Sequence, residues 1–501
     1  MRKEEEALID AYLDGSIGQE QGEALQELLK ASPEARATLR KRATIDEHLG
    51  DLAQEISLEE ARNEEAASPI GWFRFVPWGI AAGLAVALLS VTLFDGEGDE
   101  SRESFVGLLV NEAGAKFEEG YGPDEVRFDE GEYRLSEGAI HLRLDNGADV
   151  VMKSPVAFRI DDSFDMELKE GGLRAIVPPS AEGFTVATPG VNYEDLGTEF
   201  GVSVDPESGA SELHVYDGHV DAKRAGDAQL LSSVFTGETV AFEDGKLKPS
   251  VIPESGTYMH PGEIGLLRWQ IGQESFVRDP GLIAYYSFDP EEMRSGVLKN
   301  RILDSSVSDG RIADARWVGG RWPGKQALLF DRDSDYVEFD LPGEFEVLSV
   351  SAWVKLSRLD YELTAIVDSN LWEDGALHFQ VRRSGTLFSG VKGIERRGSH
   401  GTLSVKTDVW QHVVSVFDRK KKRVSIYVNG ALAEESKITQ DGPIIPRTCR
   451  IGNWLHEPSW PNVPVRAMKG RVDEFAIWNR ALSQSEVQAQ YEAGRPNLLD
   501  D

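Results

Sequence analysis

The chain has 501 residues, a length at which one hydrophobic core gives way to about three domains. Apolar residues make up 41% and charged residues 28%, which is typical of globular material and excludes extended disorder and a multi-span transporter. The 53 basic and 86 acidic residues leave a formal charge of -33, which repels a phosphate backbone and excludes nucleic acid as a ligand. The single cysteine, Cys449, excludes an intramolecular disulfide and a cysteine-rich zinc site.

The first segment, residues 1–70, has helical periodicity nearly throughout. Leu25, Leu28 and Leu29, for example, recur on one face of a helix. Ser32 followed by Pro33 is typical of an N-cap and the first helical position. The pattern predicts a small all-α N-terminal bundle.

The next segment, residues 75–94, is FVPWGIAAGLAVALLSVTLF, which contains no charge. As a helix it spans about 30 Å, the thickness of a bilayer's hydrocarbon core. Trp72 and Trp78 stand where an aromatic belt anchors such a helix. A buried core helix and a late signal peptide are the alternatives, but a signal peptide begins near residue 1. We predict one transmembrane helix with the N-terminus cytoplasmic, although Arg74 and Arg102 alone barely decide the orientation.

The remainder of the chain has the pattern of two β-rich regions. Short alternating strands broken by glycine and proline predict an all-β domain over residues 105–250. Helical periodicity returns in a connector over residues 251–280. A second set of alternating strands, with a tight hairpin turn at Asn429-Gly430, predicts an antiparallel β-sandwich over residues 281–494.

The first β-rich region resembles the FecR domain, the extracytoplasmic part of transmembrane regulators that work with sigma factors. The resemblance is carried by GGLRAIVPPSAEGFTVATPG, LGTEFGVSVD and ELHVYDGHVDA. The matching family positions are Gly171, Gly172, Phe184, Thr188, Pro189, Gly197, Thr198, Phe200, Val215, Gly218 and Val220. We interpret these residues as determinants of the fold, with Gly197 and Gly218 at tight turns and Phe184 and Phe200 in the core.

The second β-rich region resembles the LamG-like, concanavalin A-type jelly roll. Its motifs include LIAYYSFD, ALLFDRDSDYVEF, DVWQHVVSVFDRKKKRVSIYVNGALAEE and GRVDEFAIWNRALSQSEVQAQY. The resemblance implies that the first and last strands pair, so that residues near Tyr286 and Phe475 are neighbours.

The N-terminal bundle resembles the short cytoplasmic domains that precede FecR domains and, more loosely, a zinc-binding anti-sigma domain. The zinc form requires a histidine and a C-x-x-C pair, but His48 stands without cysteines near it. We therefore expect no zinc. The partner of residues 1–70 is a sigma factor or another cytoplasmic protein.

The sequence predicts no enzyme. Retaining glycosidases need two carboxylates about 5 to 5.5 Å apart, and the jelly-roll hydrolases place them in an E-x-D-x-x-E string that this region lacks. Asp473 and Glu474 are expected on opposite faces of a strand. Phosphate-binding glycine loops, a nucleophile elbow and H-E-x-x-H are also missing.

LamG-like domains often hold Ca²⁺ near the DRDSDYV loop and the GRVDEF strand, and a hard cation needs oxygen ligands from several loops. By this resemblance Asp335 and Asp473 are candidate calcium ligands, with Asp333 behind them. The alternative is a solvated acidic turn together with a paired carboxylate at the end of a strand.

Three tryptophans of the second region, Trp372, Trp454 and Trp460, have loop-like contexts in which exposed rings can stack on a sugar. The alternative for each ring is ordinary packing. Trp353, Trp410 and Trp478 lie in motif strands and are predicted to belong to the core.

These observations predict a non-enzymatic FecR-like protein of the cytoplasmic (inner) membrane. Its extracytoplasmic LamG-like domain would bind carbohydrate or an envelope protein and act as a sensor or regulator. An envelope scaffold or adhesin without signalling is the alternative. A polysaccharide-active enzyme is a third hypothesis.

Overall fold

The computed structural model of the protein describes residues 106–251, 253, 257–294, 296–398, 403–455 and 465–496. The chain divides into two compact units, residues 1–101 and 102–501, and every described residue belongs to the second. The predicted bundle (1–70), the predicted membrane helix (75–94) and Trp460 lie outside the described residues. Within the described ranges, no helix combines the length and the apolar character that crossing a bilayer requires.

The first half of the described chain is all β, as predicted. Its strands are β1 (Gly107–Phe117), β2 (Arg127–Phe128), β3 (Gly131–Leu144), β4 (Asp149–Ile160), β5 (Asp165–Ile176), β6 (Thr185–Thr188), β7 (Val191–Asp195), β8 (Glu199–Val204), β9 (Ser211–Asp217), β10 (His219–Arg224), β11 (Leu230–Phe235), β12 (Thr239–Glu243) and β13 (Lys246–Pro249). They form one branched sheet in the order β11-β10-β7-β6-β5-β4-β3-β1-β2, with β8, β9, β12 and β13 off this path.

The sheet branches at β5. Its first residues pair with β6 in parallel, and its last residues pair with β8 in antiparallel register. Between the two stretches, Gly171 has φ 85°, and a Cβ there would collide with the carbonyl oxygen of Pro155. Only glycine therefore permits this turn from one partner strand to the other.

The residues interpreted as fold determinants have the predicted roles. Phe184 and Phe200 are completely buried. Gly197 and Gly218 have φ values of 87° and 82°, a region that favours glycine. A Cβ on Gly218 would also lie 2.5 Å from the Thr198 side chain, so packing as well as backbone conformation requires glycine there.

The second half of the described chain is a sandwich of two antiparallel sheets. Its strands are β14 (Leu282–Tyr286), β15 (Val297–Leu298), β16 (Gly310–Ala313), β17 (Arg316–Gly319), β18 (Gln326–Phe330), β19 (Tyr336–Leu341), β20 (Val347–Leu356), β21 (Leu363–Ser369), β22 (Leu377–Arg382), β23 (Leu387–Val391), β24 (Glu395–Gly398), β25 (Gln411–Asp418), β26 (Arg423–Val428), β27 (Ala431–Gln440), β28 (Arg447–Ile451) and β29 (Gly470–Trp478).

One sheet of the sandwich has nine strands in the order β17-β18-β29-β20-β25-β26-β27-β24, with β14 beside β29. The other has seven strands in the order β15-β16-β19-β28-β21-β22-β23. The first and last strands pair as predicted, with Tyr286 opposite Phe475. Asn429 and Gly430 have positive φ values of 49° and 78°, which is the geometry of the predicted tight hairpin turn.

Two α-helices occur among the described residues, α1 (Ile264–Phe276) and α2 (Gln484–Gly494). α1 lies in the connector and contacts β1 of the first half as well as α2. Each helix is preceded by a capping box, formed by His260 with Glu263 and by Ser483 with Glu486. The helices cover the outer face of the nine-stranded sheet, where a small apolar cluster around Trp478 is buried.

The connector is bound to the first half of the chain through Tyr258. This residue is buried, and its hydroxyl hydrogen-bonds Ser203 at 3.0 Å. A Cβ on Gly201 would lie 2.5 Å from the Tyr258 ring. The ring therefore fits only because residue 201 is glycine. Arg174 donates to the Tyr258 carbonyl oxygen at 3.2 Å.

Helix α1 then joins the two halves through adjacent residues. Arg268 donates to Asn111 of β1 and to the carbonyl oxygen of Arg495 after α2. Trp269 donates from Nε1 to the carboxylate of Glu474 on β29 at 2.8 Å. The first β region and the sandwich are thus held by the same turn of one helix.

A buried arginine of the sandwich holds strand β29 and the end of helix α2 close to helix α1. The Arg321 side chain is fully buried and binds Asp473 at 3.1 Å and Glu474 at 2.5 Å. It also donates to the carbonyl oxygen of Gly494, at the end of α2, at 2.8 Å. Because a buried guanidinium without partners is very costly, strand β29 and helix α2 must both be in place for this residue to be accommodated.

The expectation that Asp473 and Glu474 point to opposite faces is wrong. Both carboxylates reach the guanidinium of Arg321. Glu474 has φ 89°, and the pairing of β20 with β29 shifts register at this point. A bulge of this kind redirects a side chain, so the ordinary alternation of a strand fails here.

Lys325 completes the buried charge cluster. Its ammonium lies 2.7 Å from Asp473, and the guanidinium of Arg321 lies 4.5 and 4.4 Å from the ring centroids of Trp322 and Trp353. Burial would raise the pKa of Asp473, but Lys325 and Arg321 outweigh burial and hold that pKa below its ordinary value. We define Arg321, Lys325, Asp473 and Glu474 as the joint cluster.

We predict that Arg321→Met destabilises the protein by about 3–5 kcal/mol, because it leaves the carboxylates of Asp473 and Glu474 with a missing partner. The free energy of unfolding in urea measures this loss. Arg316→Met is the matched control, since its ion pair with Asp331 is exposed and is expected to contribute less than about 1 kcal/mol. Equal losses in the two variants would contradict the assigned role.

We predict that the stability gap between the wild type and Asp473→Asn shrinks in acid. The pKa of Asp473 is lower in the folded state, so its ion pairs stabilise the protein above the unfolded pKa of about 4. That contribution is lost as the pH falls through the folded value. Urea unfolding at about pH 7 and about pH 3 measures the gap. A gap that stays constant would disprove this contribution.

Candidate functional site

The outer face of the seven-stranded sheet carries a buried polar cluster. Strands β21 and β22 place Val367 opposite Phe379 in the core and Asp368 opposite His378. Gln380 follows His378 by two residues and therefore lies on the same outer face. Asp368, His378 and Gln380 are nevertheless at most 1% exposed. Three polar side chains are thus buried on a face that strand alternation would leave open to solvent.

One oxygen of Asp368 holds the cluster together. Its Oδ2 accepts a hydrogen bond from Gln380 at 2.5 Å and lies 3.2 Å from His378 Nδ1. The guanidinium of Arg466, from the segment before β29, lies 3.5 Å from the same oxygen. Asp368 therefore orients three side chains with a single atom.

Five buried polar atoms around this cluster have no hydrogen-bond partner among the described residues. They are Oδ1 of Asp368, Nε2 of His378, Oε1 of Gln380, Oδ1 of Asn370 and Nε of Arg466. Native proteins pair almost all of their buried polar atoms. Three of these atoms are acceptors, one is a donor, and the histidine nitrogen serves in either role according to its tautomer. The set complements groups that both donate and accept, such as hydroxyls.

Two of the predicted ligand tryptophans meet at this cluster. The ring centroid of His378 lies 4.6 Å from that of Trp372 and 6.0 Å from that of Trp454. Trp372 is 40% exposed, whereas Trp454 is 8% exposed and lies 4.0 Å from the guanidinium of Arg466. Trp372 is therefore partly open to solvent, and Trp454 packs over the polar cluster.

Lys392 lies over the exposed ring of Trp372. Its ammonium is 5.8 Å from the Trp372 ring centroid and donates to the Trp372 carbonyl oxygen at 2.9 Å. This hydrogen bond fixes the position of the loop that carries Trp372. The ring is therefore held as a platform beside the polar cluster.

A second set of charged and polar side chains lies on the same outer face, on strands β19 and β28 and around Glu338. Glu338 binds Arg311 and Arg450 at 2.8 Å each, and Asn370 donates to it at 3.3 Å. Burial would raise the pKa of Glu338, but the two arginines prevail and lower it. Strand pairing places Arg450 opposite Asp368, so the two sets of polar side chains are adjacent on this face.

The carboxylates predicted as calcium ligands have different surroundings. Asp473 lies in the joint cluster, held by Arg321 and Lys325. Asp333 binds the ammonium of Lys469 at 2.7 Å. These two carboxylates already hold cations of the protein itself.

Asp335 is buried and accepts hydrogen bonds from the backbone N–H groups of Asp331 and Arg332 at 2.8 and 2.9 Å. Its other oxygen, Oδ1, has no partner among the described residues. Asp335 thus keeps one buried oxygen that no described residue binds. The calcium site stays a prediction that depends on this residue.

Sequence reasoning missed Asp368, His378 and Gln380. The alternation in LHFQVR places two of them on the outer face, but the same pattern is typical of a solvated strand. Their burial depends on Trp372, Trp454 and Arg466, and the last two are more than seventy positions further along the chain. The signal available in the sequence was a pair of polar strand residues close to loop tryptophans.

Comparison with protein families assigns both β regions. Residues 129–221 match the family model of the FecR protein. Residues 331–488 match that of the concanavalin A-like lectin/glucanases superfamily. Both resemblances predicted from the sequence are confirmed. No curated protein matches the chain as a relative.

Several solved structures are similar to the chain at low identity. Domain 4 of AbnA, a GH43 extracellular arabinanase from Geobacillus stearothermophilus in complex with arabinotriose, is 19% identical over 42% of this chain and 98% of that domain, with a TM-score of 0.29. The botulinum neurotoxin serotype D binding domain is 14% identical over 42% of this chain and 50% of that one, with a TM-score of 0.32. The binding domain of Paraclostridial Mosquitocidal Protein 1 is 16% identical over 42% and 52%, with a TM-score of 0.29.

We predict that the two tryptophans of the site differ in their contribution to stability. Trp454→Ala removes a buried ring and is expected to cost about 3–5 kcal/mol. Trp372→Ala removes a half-exposed ring and is expected to cost about 1 kcal/mol. Urea unfolding of the two variants measures both values. A larger loss for Trp372→Ala would assign that ring to the core and exclude it as a platform.

Proposed function

We propose that the protein is a non-enzymatic, membrane-anchored FecR-like regulator that binds carbohydrate on the outer face of the seven-stranded sheet. The observation that carries this proposal is the group of five buried polar atoms, without a hydrogen-bond partner among the described residues, beside the exposed ring of Trp372. Sugars present hydroxyl groups that donate and accept and an apolar ring face that stacks on tryptophan. The cluster and the platform complement these two features.

The compact packing of the two β regions supports a regulatory role. Ligand binding to the sandwich is useful to a regulator only if the FecR region responds. Arg268 and Trp269, in one turn of helix α1, contact the first β region and the sandwich respectively. A movement of the sandwich can therefore reach the FecR region through this one helix turn. In this proposal the apolar segment 75–94 anchors the chain, and residues 1–70 carry the signal to a cytoplasmic partner such as a sigma factor.

The first experiment is a glycan-array screen of the full-length chain in detergent, run with calcium and with a chelator. We expect binding to a defined glycan, about five- to tenfold weaker for Trp372→Ala, because loss of a stacking ring removes about 1–1.5 kcal/mol. Phe235→Ala is the control, since Phe235 is an exposed ring on β11, in the first β region.

The outcomes separate the alternatives. An equal loss in both variants, or no glycan binding in either condition, would overturn the carbohydrate proposal and direct the search to envelope proteins. Loss of binding with chelator that Asp335→Asn reproduces would support the calcium prediction. Binding that is unchanged by the chelator would remove calcium from the mechanism.

A second experiment tests regulation against scaffolding. We expect a sigma factor to copurify with the full-length chain, and the bound amount to change when the glycan is added. Glycan binding without a cytoplasmic partner would favour an envelope scaffold or adhesin.

A further inference from the structure

A cavity of about 480 Å³ lies between helices α1 and α2, away from the candidate site on the seven-stranded sheet. This volume is within the range of small-molecule sites, which often occur where domains meet. Most of the side chains that the two helices contribute to its walls are small or apolar, and these wall residues are Gly272, Ser275, Phe276, Ala489, Gln490 and Ala493. The cavity is therefore suited to an apolar body.

The two ends of the cavity are bounded in different ways. At one end the helices approach closely, since a Cβ on Gly272 would lie 2.6 Å from the Cβ of Ala493. At the other end Arg480 bridges the segment after α1 and helix α2, because it binds Asp279 and also Glu486, the latter at 2.6 Å. At the rise of a helix, Gly272 and Asp279 are about 10 Å apart. A molecule with a single aromatic ring fits this length.

The ionised groups at this second end leave one negative charge. Hydrogen bonds from Arg480 lower the pKa of Glu486 to about 2. Burial would raise the pKa of Asp279, but hydrogen bonds from Arg480 outweigh burial and lower it. Both carboxylates are therefore ionised at neutral pH. These three residues are the charged ones among those that line the cavity, and two negative charges with one positive charge sum to -1.

An anionic group finds no counterpart beside Arg480. Every nitrogen of the guanidinium already donates to a carboxylate oxygen or to the carbonyl oxygen of Ala481. A guanidinium held in this way offers no bidentate site to a further carboxylate or phosphate. A cationic group, in contrast, meets an excess of carboxylate charge. The charge of the occupant is therefore specified as well as its apolar body.

We propose that this cavity is a binding site for a small amine with an apolar body, such as an aromatic ring. The apolar body lies between α1 and α2, and the ammonium group lies beside Asp279 and Glu486. The site does not depend on the proposed carbohydrate function. Gly272 lies one helical turn after Arg268, so the occupant is adjacent to the turn of α1 that joins the two β regions.

Disulfide tethering on the full-length chain tests this site. Ala489→Cys places a thiol in the cavity wall, and Cys449 does not compete because it is completely buried. The probes are three benzyl mercaptans whose para substituents are aminomethyl, hydroxymethyl and carboxylate, so that they share an apolar ring and differ in charge. Intact-mass spectrometry in a redox buffer measures the equilibrium capture of each probe. Ala431→Cys is the matched control, because Ala431 is an exposed alanine on β27 that does not line the cavity.

We expect Ala489→Cys to capture the amine about fivefold more strongly than the alcohol, and the carboxylate least, after each capture is divided by that of Ala431→Cys. The division removes partitioning into detergent and the general attraction of an acidic chain for cations. Adding Glu486→Gln to Ala489→Cys should abolish the preference for the amine, because the remaining charges at that end of the cavity cancel. Glutamine keeps the capping box of α2, and thermal unfolding establishes that each variant is folded.

Three results would overturn the proposal. Equal capture of every probe by Ala489→Cys and Ala431→Cys would show that the cavity takes no ligand. Equal capture of the amine and the alcohol, after the same division, would show that the cavity does not select a cation. A preference for the amine that survives Glu486→Gln would assign it to another charge. If Glu486→Gln unfolds, Asp279→Asn replaces it, and a surviving preference there has the same meaning.

Discussion

The burial of one guanidinium is the constraint on which the rest of the described structure depends. Arg321 has no access to solvent and must find all its partners inside the protein. Those partners come from strand β29 and from the end of helix α2. Glu474 in turn accepts from Trp269 of helix α1. The requirement to pair one cation therefore fixes the strand, both helices and, through α1, the position of the first β region.

The requirement that buried polar groups find partners is met differently on the outer face of the seven-stranded sheet. In the joint cluster, cations and carboxylates are matched to one another. Around Asp368, the buried polar atoms outnumber the partners that the described residues provide. A matched set holds a structure together, whereas an unmatched set with a half-exposed ring beside it is suited to a ligand. One face of the sandwich thus serves cohesion, and the other is the face to which we assign recognition in our proposal.

Sequence patterns predicted the parts of the fold that depend on local rules. The pairing of Tyr286 with Phe475 followed from the family motifs, and the turn at Asn429-Gly430 followed from turn chemistry. The bulge at Glu474 was not predictable, because strand alternation contains no sign of it. The burial of His378 was not predictable either, because Trp454 and Arg466 reach it from distant positions. Local periodicity determines which face a residue occupies, and tertiary packing determines whether that face is covered.

The pairing of β14 with β29 has a consequence for biosynthesis. These strands are the first and the last of the sandwich and lie nearly two hundred positions apart, so the nine-stranded sheet cannot close while the chain is still emerging. The Gly494 carbonyl oxygen that receives Arg321 is made later still. The first β region has all of its strands before residue 250 and can form earlier. Assembly is therefore sequential, and a chain cut short inside α2 would leave Arg321 with its two carboxylates but without the Gly494 carbonyl oxygen that completes its pairing.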